Sequence, residues 1–119
     1  MTVTSNHTQA CFDAWMNCEN LLVSLSNVKV SVSKKVTQVI DECALICMGT
    51  FKAIKTGSPQ MSRLALLCVG ICEECAEVCE EHDAPNFQKL ASICRHCSDS
   101  LSYIAFPAAM IQHAVPTSH

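Results

Sequence analysis

The sequence predicts an all-α protein, an antiparallel up-down four-helix bundle with cysteines lining its core. Three observations predict it. Apolar residues recur at helical spacing along most of the chain. Two groups of helix-breaking residues, Gly57-Ser58-Pro59 and Asp83-Ala84-Pro85, cut that pattern into lengths suited to bundle helices. The cysteines, ten in 119 residues, fall at helix-face steps and not in loops.

The first helix is expected over about residues 6–26, with Ala10, Phe12, Trp15, Cys18, Leu22 and Leu25 as its apolar positions. Residues Asn27 to Ser33 alternate valine with polar residues, but one isolated strand has nothing to pair with, so they read as a connection. A second helix follows over about 33–56, its stripe being Val36, Val39, Ile40, Cys43, Cys47, Phe51 and Ile54. Gly57 suits the position just past a helix end, Ser58 can cap the next helix and Pro59 fits its first turn. The third helix is expected over 59–82. Asp83 is the candidate N-cap of the fourth, expected over 85–106, and the tail from Pro107 has room for a further short turn. Short connections between four helices make an antiparallel bundle, a single domain spanning 1–119.

Composition excludes several function classes. Half the residues are hydrophobic and only 16% are charged, which is unlike a disordered tail. A net charge of −3, from 8 basic and 11 acidic residues, gives no positive field to attract nucleic acid. The longest mostly apolar stretch, Leu64 to Cys72, is well short of the roughly 20 residues that cross a membrane. The Met-Thr-Val-Thr-Ser-Asn-His start has neither the basic residues nor the apolar run of a secretory signal, so a cytoplasmic protein is expected.

Ten cysteines in such a compartment point to metal binding or thiol chemistry. In the third helix Cys68, Cys72, Cys75 and Cys79 step by 4, 3 and 4, the stripe that normally holds leucine. Cys43 and Cys47 lie at i, i+4 in the second helix, Cys94 and Cys97 at i, i+3 in the fourth, and Cys11 and Cys18 two turns apart in the first. All are expected to point inward. Free cysteine does serve as a small hydrophobe, but leucine fills a bundle core better than ten thiols do. Counting outward from the turns sets Cys47 opposite Cys68, Cys43 opposite Cys72, Cys72 opposite Cys94 and Cys68 near Cys97. Cys11 falls near the Cys47 level and Cys18 near Ile40 or Cys43. Leu22, Val36 and Phe87 are expected to close the far end, with Cys79 the last sulfur.

Cys68 to Cys79 spans 11 residues, about 16 Å of helix. One tetrahedral zinc, with bonds of about 2.3 Å, cannot gather ligands over that length, although zinc can bind weakly at individual pairs. A cubane iron–sulfur cluster needs four thiolates converging on one point. A file of thiolates suits a file of small soft ions, each held by two or three sulfurs, and Cu(I) fits that description. Ten buried thiolates without cations would be prohibitive, so the metal-free cysteines are expected to be protonated and to release protons on binding.

The segment Cys72-Glu-Glu-Cys75-Ala-Glu-Val-Cys79-Glu-Glu-His82-Asp83, followed by Cys94-Arg-His-Cys97, resembles the cysteine-rich four-helix-bundle copper storage proteins. The resemblance implies a bundle filled with several Cu(I) per chain and assembled as a homo-oligomer, a tetramer. It implies ligand roles for Cys68, Cys72, Cys75, Cys79, Cys94 and Cys97, and less specifically for Cys43 and Cys47. Cys11 and Cys18 join them on position alone. Phe87, Leu90 and Leu101 stand where cysteine-richer members continue their stripe, which implies a lower capacity.

Other residues carry two readings each. His82 suits the negative end of the third helix as well as a metal. His96 lies off the inner stripe. His7, Met48 and Met61 are placed near the sulfur-bearing end, as filler or as soft donors passing copper inward. Glu73, Glu74, Glu77, Glu80 and Glu81 read as a solvated face or an oligomer surface. No catalytic constellation or phosphate-cradling loop is evident. The rival reading is a disulfide-stapled or zinc-binding helical scaffold or chaperone, in which Cys43/Cys47 and Cys68/Cys72 cross-link two helices.

Overall fold

Four helices make up nearly all of residues 2–27 and 32–106, the part of the chain that the computed structural model describes. They are α1 (Thr2–Asn27), α2 (Lys34–Thr56), α3 (Met61–Glu80) and α4 (Pro85–Ala105). Most of the connection between Asn27 and Ser33, and the tail from Pro107, lie outside the described residues. Among the described residues no helix is long and apolar enough to cross a membrane.

The helix ends follow from local chemistry. Ser33 accepts a hydrogen bond at Oγ from the Val36 N–H (3.3 Å) and so caps α2. Gly57 ends α2 in the left-handed region (φ 65°), with the Ser58 N–H reaching back to the Ala53 carbonyl (2.9 Å). Pro59 does not start α3. It sits in a turn with Gln60, held by the Gln60 N–H donating to Ser58 Oγ (3.1 Å), and the helix begins at Met61. Asp83 is not the cap of α4 either. Pro85 occupies the first turn and the capping position falls to Ala84, one residue later, with Asn86 Oδ1 accepting from the Phe87 N–H (3.0 Å). His82 lies past the end of α3 with its ring stacked on Phe87, centroids 4.5 Å apart.

Contacts between helices fix the direction of each. Phe12 meets Phe51 while Cys18 meets Cys43, so α1 and α2 run oppositely. Cys47 lies against Cys68 and Cys43 against Cys72, which does the same for α2 and α3. Glu73 meets Ser98 and Glu80 meets Arg95 across α3 and α4, and His7 meets Ser100 across α1 and α4. The result is a closed square in the order α1, α2, α3, α4, with one core along its axis.

That core is small side chains and sulfur. All ten cysteines are fully buried, with Ala14, Ala65 and Ala76 between them. Above the sulfurs lie Thr50, Ile54 and Leu101; below them lie Leu21, Val36, Ile40, Phe87 and Leu90. The face of α1 is turned slightly from expectation. Leu21 is buried where Leu22 was expected, and Phe12 is 38% exposed. The stripe 11, 14, 18, 21 keeps both sulfurs on the axis, which moves Phe12 and Trp15 to the α1/α2 seam. There they pack with Phe51 at centroid distances of 5.8–6.0 Å.

Candidate metal centre

Steps of three and four residues bring the cysteines of each helix to one side, and the closed square turns all four sides onto one axis. The sulfurs gather in two groups. Cys18, Cys43, Cys75 and Cys94 take one from each helix. Cys47, Cys68, Cys72 and Cys97 take two from α3 and none from α1. Within each group all Sγ atoms lie within 4.8 Å of one another.

The two groups are not separate. Cys43 Sγ in the first lies 3.9 Å from both Cys47 and Cys72 in the second, as well as 3.9 Å from Cys94 in its own. Cys47 lies 3.6 Å from Cys68 and 3.7 Å from Cys72. Cys11 extends the file at one end through Cys68 and Cys97, and Cys79 extends it at the other through Cys75. None of the ten is in a disulfide, so the stapled-scaffold reading has no support in this geometry.

Spacing permits metal. With metal–sulfur bonds of about 2.3 Å, two sulfurs on one ion sit about 3.8 Å apart at a tetrahedral angle, about 4.0 Å at a trigonal one and about 4.6 Å across a linear one. The observed contacts of 3.6–3.9 Å lie within about 0.2 Å of the tetrahedral and trigonal spacings, so only small side-chain adjustments are needed.

Charge decides which metal. Two Zn(II) ions, each in four thiolates, would leave two negative charges apiece in a core that, among the described residues, buries no lysine or arginine and whose backbone donors are already used within helices. One Cu(I) per thiolate is neutral. A shared, all-sulfur file therefore favours monovalent ions with bridging thiolates over separate divalent sites.

Without metal the thiols perturb one another. Hydrogen bonding to Cys68 pushes Cys11 far above the ordinary thiol value, and bonding to Cys43 does the same for Cys18, Cys47 and Cys72. Bonding to Cys75 and burial raise Cys79. The sulfurs that accept from several neighbours go the other way: Cys94 falls to about 7 through Cys18, and Cys97 to about 6 through Cys11.

The remaining candidates separate clearly. His7 is buried, its Nδ1 2.7 Å from Ser100 Oγ, and burial lowers its pKa. His96 is exposed. Met61 packs against the core, and Met48 is half-buried. The glutamates of α3 are not simply a solvated face. Arg95 pairs with Glu73 and with Glu80 (2.8 Å), and buried Ser98 donates to Glu73 Oε2 (2.6 Å), which ties α3 to α4 beside the sulfurs. Sequence spacing gives no sign of this clasp, because it joins residues 22 and 25 positions apart on two different helices. Thr50 was also missed: fully buried, its hydroxyl lies 2.8 Å from the Ile46 carbonyl and 3.2 Å from that of Leu64.

Comparisons with known proteins agree with the geometry. The family model described as "Csp: Copper storage protein" matches residues 1–105. The chain is 32% identical over 98 residues to "Uncharacterized cysteine-rich protein YhjQ" of Bacillus subtilis (strain 168), covering 82% of this chain and 91% of that one. The fold superimposes on "Cu(I)-bound Copper Storage Protein BsCsp3" with a TM-score of 0.80 and 29% identity, covering 87% of this chain and 98% of the other.

Proposed function

The chain belongs to the copper storage protein family, and from that membership we propose that it binds several Cu(I) ions through Cys11, Cys18, Cys43, Cys47, Cys68, Cys72, Cys75, Cys79, Cys94 and Cys97. The observation that carries this reading is the unbroken sulfur file, in which Cys43 joins two four-sulfur groups at 3.9 Å. Each thiol gives up its proton as an ion enters, and the neutral product suits an apolar core. On charge balance the capacity is about one Cu(I) per thiolate, about ten per chain.

Burial explains the use. Ions held where no sulfur meets solvent are kept from oxygen and from redox cycling, which is storage and sequestration rather than catalysis. The role proposed is cytoplasmic, where thiols stay reduced. Residues 1–119 act as one domain. Assembly as a homo-oligomer is supported by the exposed Leu45, Leu66 and Leu67 on the outer faces of α2 and α3, and a tetramer is the form that the family resemblance implies.

Titration of the reduced, metal-free protein against a Cu(I) indicator tests the reading. Several equivalents should bind, and Cys72→Ser with Cys75→Ser should lower the number. A stoichiometry of one or zero refutes it.

A further inference from the structure

Every sulfur is fully buried, so an ion must pass between packed side chains to reach one. The walls differ. The α1/α2 seam is filled by the rings of Phe12, Trp15 and Phe51. The α3/α4 seam is clasped by Arg95 with Glu73 and Glu80. The α2/α3 seam is drawn together by the Thr50 hydroxyl on the Leu64 carbonyl. At the α1/α4 seam α1 presents the small side chain of buried Ala10 beside His7. Outside that seam lies a groove of about 700 Å³ whose walls include His7, His96, Asp13, Asp99, Ala10 and Ser100.

We propose that this groove is the port through which Cu(I) exchanges with the core, with His96 and then His7 holding the ion in transit and Cys11 and Cys97 receiving it. The juxtaposition carries the argument. His7 is four residues before Cys11 on α1, and Ser100 is three residues after Cys97 on α4. The His7–Ser100 contact therefore stands one helical turn outside the Cys11–Cys97 pair, on the same seam. In the tautomer whose Nδ1–H donates to Ser100 Oγ across the 2.7 Å contact, the Nε2 lone pair is left for a soft ion, the usual arrangement of a ligating histidine. Asp13 and Asp99 give the mouth the negative charge that draws cations in. The exchange involves no redox step. Bonds from copper to the delivering chelator break as bonds to imidazole nitrogen form. Those are then replaced by bonds to Cys11 and Cys97 Sγ, whose protons leave to solvent, and copper remains monovalent throughout.

The inference rests on the copper reading, and its test separates the two. Metal-free full-length protein is mixed in a stopped-flow instrument with the coloured Cu(I)–bicinchoninate complex, and loss of colour reports uptake. His7→Leu and the surface variant His96→Leu should each load at least about ten-fold slower, with the final copper count unchanged. His82→Leu, at the opposite end, should load at the unmodified rate. His96 is exposed, so its variant retains the fold and keeps the test decisive even if His7→Leu does not fold. Full uptake at unmodified rates in His96→Leu overturns the port alone. An unmodified protein that takes up no copper overturns the storage reading and the port with it.

Discussion

Replacing Cys43 with alanine removes the sulfur that joins the two groups. Cys43 Sγ lies 3.9 Å from Cys47, Cys72 and Cys94, and with Cys18 and Cys75 it completes one four-sulfur group. The cost to the metal-free fold is that of deleting one buried methyl-sized group, about 1 kcal/mol, or about 4 °C in Tm. The effect on copper is larger in kind. If neutrality of the core governs capacity, one thiolate fewer means about one Cu(I) fewer per chain. The assay is anaerobic titration against a chromogenic Cu(I) chelator, with copper counted by elemental analysis. Leu101→Ala is the control: it should cost about 2–5 kcal/mol yet leave the copper count alone, because Leu101 is fully buried and offers no ligand. Unchanged capacity in Cys43→Ala would refute a ligand role for this sulfur. A fall to half would refute the shared file and leave two independent sites.

Copper uptake should weaken as the medium is acidified. Cys11, Cys18, Cys47, Cys72 and Cys79 have their pKa values raised by hydrogen bonding and burial, so each ion bound there displaces protons and affinity rises with pH. Competition titrations at two pH values check this, and a pH-independent affinity would contradict it. Gly57→Ala should destabilise the protein by about 1 kcal/mol, since φ 65° is open to glycine but strained for alanine. Thermal melts of the metal-free protein read this directly, and the copper count should not change.

Much of this was legible in the sequence because a helix face is periodic. The 4, 3, 4 spacing of Cys68 to Cys79 and the stops at Gly57 and Pro85 were enough to place the sulfurs opposite one another by counting from the turns. The rotation of α1 was not legible. Phe12 and Trp15 look like core residues in isolation, and only the neighbouring Phe51 shows that they belong to a seam. The same limit hid the clasp of Arg95 and Ser98 on Glu73, which joins residues 22 and 25 positions apart in the chain. The partnership of His7 with Ser100, 93 positions away, was hidden in the same way. Periodicity reports which face of a helix turns inward; it carries no information on which polar side chains meet at the seams between helices.

The central claim is that copper lies in file along the bundle axis, between sulfurs of all four helices. Anomalous diffraction at the copper edge, from crystals of the fully loaded protein, tests it most directly. The account predicts a row of several peaks running from the level of Cys11 to that of Cys79, each within bonding distance of two or three Sγ atoms. A single peak in each four-sulfur group, or peaks confined to surface histidines with the axis empty, would contradict it.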